Sequence, residues 1–159
     1  MKTVSAKPLA IVLRGLPGSG KTRLAKQWHQ QYASRFRAED IICSIDDYFQ
    51  RGTRYTFEAD KLPVYQALCL VRFINGLKAR RPIMICDNTN MQCWEYLPYQ
   101  AAAEALGYDV RRVLVGDPSD QGQIQQCTSS NRHGLSKSII VGYSDVFERD
   151  EDKPYSPWA

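Results

Sequence analysis

The chain has 159 residues, 43% hydrophobic and 24% charged, a balance ordinary for one globular domain with a sizeable core. Lysine and arginine exceed aspartate and glutamate by four (21 against 17), which permits a phosphate-rich partner without requiring one. No apolar run approaches a membrane span, the first eight residues are too short and polar for a secretory signal, and five cysteines without a C-x-x-C pair argue against a disulfide frame or zinc site. A reducing, cytoplasmic setting is the expectation.

Residues 1–8 read as an N-terminal arm. The apolar run over 9–13 predicts a buried strand. It leads into Gly15-Leu-Pro-Gly-Ser-Gly-Lys21-Thr22, which fits G-x-x-x-x-G-K-[ST] at every fixed position. Helical spacing of Leu24, Ala25 and Trp28 follows at once, so the motif has the strand–loop–helix context of a phosphate loop. Each residue type has a task. Gly15, Gly18 and Gly20 bring backbone N–H groups close to phosphate oxygens, with Pro17 and Ser19 between them. The helix N-terminus faces the same anions. Lys21 supplies a charge for the β- and γ-phosphates and Thr22 a hydroxyl for Mg²⁺. The implied ligands are ATP, or another nucleoside triphosphate, and Mg²⁺.

Further on, a helix over 21–32 precedes a polar connection and a second apolar run at 41–45, which predicts a second strand. Residues 50–57 read as a loop with two arginines and two aromatics. A long helix over 58–81 becomes regular near Leu62 or Pro63, since proline suits a first turn. A third strand at 83–86 ends in Asp87-Asn-Thr-Asn90. A helix over 92–106 carries Pro98, either as a kink or in its first turn, and Gly107 stops it. A fourth strand spans 110–115, followed by helices at 121–130 and 136–149 and a tail at 150–159 with two prolines, Tyr155 and Trp158. The tail reads as loosely packed or disordered. Alternation of strands and helices predicts an α/β fold, a parallel sheet of four to five strands with helices on both faces in three layers. Four strands are visible; a fifth lies in a segment read as helix or loop.

Asp46, Asp47 and Asp87 all follow apolar runs, at the sheet edge where open α/β sheets bind ligands. Each alone serves equally well as a helix cap or turn residue. Together with a phosphate loop they suggest chemistry: Asp87 to hold Mg²⁺ directly or through water, Asp46 or Asp47 to take the proton of an attacking hydroxyl. The ordered set Gly15–Thr22, Ser44-Ile-Asp-Asp-Tyr-Phe49, Asp87-Asn-Thr-Asn90 with Trp94, Gly107-Tyr108 and Asn131-x-His-Gly134 resembles the P-loop kinase domains related to polynucleotide 5′-hydroxyl kinase, the zeta-toxin-like group often labelled AAA-type ATPases. The resemblance covers residues 9–149, one kinase domain with a lid around 119–136. It implies the P-loop nucleoside triphosphate hydrolase fold, Asp46 as general base, and Asp87 beside the magnesium and phosphates. It also implies a lid arginine on the transferred phosphoryl group. The family's Arg-Asn-x-His-Gly is Ser130-Asn-Arg-His-Gly134 here, so Arg132 stands in two residues on. The arginine that follows Asp-Asp-Tyr in the characterised kinases is Phe49 here, leaving Arg51 and Arg54 as candidates. Asp47, Arg51, Arg54 and Asn88 are therefore expected on the acceptor side.

These residues imply an ATP-dependent kinase with Asp46, Lys21 and Arg132 as its catalytic groups. The leading reading has the 5′-hydroxyl of RNA or DNA as acceptor. A second has a small molecule: a nucleoside, sugar or antibiotic hydroxyl. A third has a nucleotide-binding regulatory module with little turnover, motivated by the displaced lid arginine and the aromatic tail. Tyr48, Phe49 and Tyr55 among the arginines are stacking candidates for a nucleic-acid end. His133 is either a loop histidine or a contact to substrate or nucleotide.

Overall fold

The computed structural model describes residues 6–150, 152, 154 and 155. The first half runs β1 (Leu9–Arg14), α1 (Lys21–Tyr32), α2 (Ala38–Ile41), β2 (Ile42–Cys43), α3 (Asp46–Phe49), β3 (Gln50–Arg51) and β4 (Arg54–Tyr55). A 3₁₀ turn (Ala59–Lys61) leads to α4 (Leu62–Lys78), β5 (Ile83–Asp87), α5 (Cys93–Ala105), β6 (Asp109–Val115), α6 (Gln121–Ser130), α7 (Lys137–Val146) and β7 (Pro154–Tyr155). The main sheet has the order β2-β5-β1-β6-β7, and every neighbouring pair is parallel.

Side chains alternate across each strand, so one strand feeds two cores. Ala10 and Val12 of β1, with Met84 and Cys86 of β5, pack under Phe73 and Leu77 of α4 and Tyr96 and Tyr99 of α5. Ile11 and Leu13, with Ile83 and Ile85, pack on the other face against Leu24 and Ala25 of α1. Coverage on both faces is why these strands are nearly all apolar. A third cluster, with Leu16, Ile124, Cys127, Ile140 and Phe147, joins α6 and α7 to the loop after β1. Because β1 lies between β5 and β6, Leu13 is level with Asp87, and the two segments after β1 and β5 leave the sheet side by side.

Four expectations change. The second strand shrinks to two residues, because Ser44 turns the chain: its Oγ accepts from Asp46 N at 3.3 Å and its carbonyl from Asp47 N, starting α3. The segment at 50–57 contains a small antiparallel hairpin, β3 with β4, rather than an open loop. The last helix stops at Val146, where Phe147 turns extended into the core and Glu148 N donates to Met91 O. The fifth strand is found in the tail: Pro154 and Tyr155, both exposed, pair with Leu114 and Val115. Trp158 and residues 1–5 lie outside the described residues. The long helix does start at Leu62 with proline in its first turn, and Pro98 sits inside α5.

Candidate functional site

Helix α1 opens on Gly20 without any side-chain cap, so its first N–H groups are left for an anion. The loop before it is built around close approach. A Cβ on Gly15 would stand 2.7 Å from both Ser19 Oγ and Val115 O. Gly18 has φ +84°, and a Cβ there would meet Cys127 O at 2.6 Å and Asn131 N at 2.9 Å. The phosphate loop thus presses directly on the end of α6. Lys21 is buried, and its Nζ donates to Leu16 O at 2.9 Å. Burial pushes its pKa down, against the pull of the Asp87 and Asp46 carboxylates. An incoming phosphate would supply the negative charge that burial withholds.

Asp87 ends β5 beside this loop. Thr22 Oγ1 donates to its Oδ2 at 2.9 Å, while its Oδ1 is buried with no hydrogen-bond partner. Burial raises its pKa, opposed by Lys21 and the Thr22 hydroxyl. An unpaired buried carboxylate oxygen next to a free hydroxyl lone pair is a fitting half-site for Mg²⁺, which takes one or two protein oxygens and completes its shell with phosphate and water. Among the described residues no cluster of three or more His, Cys, Asp or Glu could hold a metal alone. The segment after Asp87 is structural bracing. Thr89 O accepts from Gly15 N, Asn90 Nδ2 donates to Leu13 O at 2.7 Å, and Asn88 Oδ1 accepts from Ile45 N at 2.9 Å.

Asp46 faces these groups across a cavity of about 840 Å³ lined also by Lys21, Thr22, Asp87, Asn88, Arg132 and His133. Its Oδ1 accepts from the Tyr55 hydroxyl at 3.1 Å, and its Oδ2 lies 3.4 Å from His133 Nε2. Desolvation pushes its pKa up, but the His133 and Tyr55 hydrogen bonds and the Lys21 charge outweigh it, and the net direction is down. The remaining wall is largely apolar, with Phe49, Phe57, Leu70, Trp94, Pro98 and Tyr99. Asp47, expected on the acceptor side, is elsewhere: its carboxylate holds Arg72 at 2.9 Å and lines no part of the cavity. Arg51 and Arg54 are exposed on the hairpin and also off the wall; Arg51 stands 3.9 Å from Glu58. Ser130, where the resemblance places an arginine, has its Oγ 2.9 Å from Gly18 O, and exposed Arg132 lines the cavity.

Sequence reasoning missed three parts. Asn131 knots the loop between α6 and α7: its Nδ2 donates to the carbonyls of Cys127, Thr128 and Leu135 at 3.0–3.1 Å, and its Oδ1 accepts from Leu135 N at 2.8 Å. The stack of Tyr55 on His133, centroids 3.9 Å apart, joins hairpin to that loop, and nothing local in the sequence pairs them. Arg14 is wholly buried, bound to the carbonyls of Asn90, Met91 and Glu148 and to Asp152. An arginine closing an apolar strand was the available signal, since such a charge requires partners.

The phosphate loop, the aspartate beside its threonine and the parallel five-stranded sheet define a P-loop kinase-like fold, which implies nucleotide binding. Residues 11–126 match the AAA domain family, and the chain belongs to that family. It is 31% identical over 150 residues to human NEDD4-binding protein 2, covering 93% of this chain and 8% of that protein. It is 26% identical over 159 residues to mouse YLP motif-containing protein 1, covering 88% and 11%. The chain therefore spans about a tenth of the curated relatives it matches. Among solved structures, the Mycobacterium tuberculosis APS kinase CysC in complex with AMPPNP and APS superposes with a TM-score of 0.64 at 14% identity, covering 98% of this chain and 91% of that one. A gluconokinase from Sinorhizobium meliloti 1021 gives 0.59 at 15%, covering 96% and 83%. A chain of the Pnkp1/Rnl/Hen1 complex gives 0.57 at 17%, covering 85% and 42%. At these identities the likeness is one of fold. No helix among the described residues is long and apolar enough to cross a membrane.

Proposed function

We propose that the protein transfers the γ-phosphoryl group of ATP to an acceptor hydroxyl, and that the acceptor is the 5′-hydroxyl of an RNA or DNA end. The observation that carries the chemistry is Asp46 set across one cavity from Lys21, Thr22 and Asp87. The loop N–H groups and Lys21 hold the donor phosphates. Thr22 and Asp87 would hold Mg²⁺, which when bound neutralises charge on the β- and γ-oxygens. Asp46 takes the proton as the acceptor oxygen bonds to phosphorus, the γ-phosphorus bond to the β-bridging oxygen breaks, and ADP leaves. Arg132 offsets the charge that develops on the phosphoryl group. Positioning and charge neutralisation supply most of the acceleration in such transfers.

The nucleic-acid acceptor is supported by the aromatic wall, which suits a terminal base and sugar, and by Arg51 and Arg54 on the hairpin that also carries Tyr55, where following phosphates would be met. One observation favours a small-molecule acceptor instead: none of Arg51, Arg54, Arg80 or Arg111 lines the cavity. Labelled ATP offered with 5′-hydroxyl oligonucleotides and, separately, with a panel of nucleosides and sugars tests both. Label on the oligonucleotide end is expected. ADP release stimulated only by small acceptors would replace the nucleic-acid reading. Tight ATP binding without turnover on any acceptor would contradict the kinase proposal.

A further inference from the structure

Asp46 is held by residues from two other parts of the chain. Tyr55 comes from the hairpin and donates to Oδ1; His133 comes from the loop between α6 and α7 and meets Oδ2. The two rings stack at 3.9 Å with 31° between planes, so hairpin and lid touch through them. Resting on the reading of Asp46 as acceptor base, we infer that Tyr55 and His133 are its positioning residues.

The hydrogen-bond inventory sets the polarity. His133 Nδ1 is buried without a partner. A proton on Nδ1 would bury an unpaired N–H and turn the Nε2 lone pair toward the carboxylate, two penalties at once. The proton therefore sits on Nε2, which donates to Asp46. Burial and the neighbouring Asp46 push the Tyr55 phenol up, so it too remains a donor. Each carboxylate oxygen accepts one bond and keeps a second lone pair for a hydroxyl. Lys21 also favours the ionised form of Asp46, while the Asp87 carboxylate repels it. Residues 131–136 belong to no helix or strand and are held by the Asn131 knot, which fixes where His133 stands, whereas Asp46 lies at the start of α3.

The test uses the full chain with ATP, Mg²⁺ and a 5′-hydroxyl oligonucleotide, and compares wild type with Tyr55→Phe, His133→Ala and His133→Gln. Tyr55→Phe keeps the stack and removes only the hydroxyl; glutamine can restore a donor near the position of Nε2. Loss of either donor should lower kcat about tenfold, the size of a lost charge-assisted hydrogen bond, with the KM for ATP unchanged. It should also move the acid limb of kcat/KM upward by about one pH unit, because the base must be ionised and both donors hold its pKa down. His133→Gln should recover most of the loss. In parallel, carbon-13 NMR titration of the Asp46 carboxyl without acceptor should show its midpoint rising in Tyr55→Phe and His133→Ala. A uniform loss at all pH values with an unmoved carboxyl midpoint would overturn the inference and leave only a structural contact. Transfer that persists in Asp46→Asn would overturn the base assignment instead, and the carboxyl titration would still show whether Tyr55 and His133 hold that side chain.

Discussion

Arg14→Met should destabilise the protein by about 3 kcal/mol, the lower end of the cost of breaking a buried ion pair. The guanidinium is fully buried, and each of its three nitrogens is hydrogen-bonded. Nε donates to Asn90 O at 2.9 Å, one terminal nitrogen to Met91 O at 3.1 Å and Glu148 O at 2.7 Å, and the other to Asp152 at 3.2 Å. Its carbon lies 4.5 Å from the Tyr96 ring centre and 4.9 Å from that of Phe147. Methionine fills the aliphatic path but leaves three carbonyls without this donor. Asp152 is not stranded, because Arg112 Nε still reaches its other oxygen at 3.2 Å, which is why the lower end of the range applies. At about 2–4 °C per kcal/mol for a chain of this size, Tm should fall by about 6–12 °C. Asp152→Asn should cost less, since Arg14 keeps its carbonyls and rings. Nucleotide affinity should fall with Arg14→Met, because Asn90 and Met91 brace the segment after Asp87. Calorimetry with a fluorescent-nucleotide titration reads both. A Tm loss under about 2 °C, or a larger loss in Asp152→Asn, would refute the reasoning.

Asp87→Asn should raise or preserve Tm at pH 7.5 while abolishing Mg²⁺-dependent turnover. Burial raises the folded-state pKa of Asp87, so its ionised form costs stability that grows as pH rises above the ordinary carboxylate value; the advantage of asparagine should shrink as pH falls and vanish below that value, where Asp87 is protonated folded and unfolded. Gly18→Ala should destabilise by at least about 1–2 kcal/mol, the left-handed penalty, and its Cβ clash with Cys127 O and Asn131 N should open the lid, read as faster proteolysis within residues 131–136. Arg132→Ala should lower kcat about 10³-fold with little change in ATP binding, as loss of a transition-state arginine does. Ser130→Ala should cost no more than about fivefold, one neutral hydrogen bond to the Gly18 carbonyl. Equal kinetic losses in the two lid variants would remove Arg132 from the transition state.

The donor half of the site was legible because its signals are local. Gly15 to Thr22 sit within one turn and one helix start, and the strand ending in Asp87 is a plain apolar run. The proposed acceptor half is assembled across long separations. Tyr55 and His133 are brought together by the hairpin and the loop between α6 and α7, and neither carries a periodic pattern that pairs them. Asp46 and Asp47 are adjacent in sequence yet diverge, because α3 turns one into the cavity and the other onto Arg72 of α4. The fifth strand escaped notice for a related reason. Two residues with a proline carry no strand signal, and the segment is held by Asp150 and Asp152 on Arg112 and by Asp152 on Arg14. Buried Arg14 and partly buried Arg112, with acidic residues at 150 and 152, were present, but pairing across 138 positions for Arg14 and 38 to 40 for Arg112 is not readable from one sequence.

If Asp46 takes the proton of the acceptor hydroxyl, its amide variant must lose transfer and keep ATP. Single-turnover transfer of labelled γ-phosphate to a 5′-hydroxyl oligonucleotide, measured for wild type and Asp46→Asn beside ATP binding by calorimetry, reads both. Label on the oligonucleotide is expected with wild type, with a loss of about 10²- to 10⁴-fold in the variant and unchanged ATP affinity. Transfer by Asp46→Asn at the wild-type rate would remove Asp46 as the base.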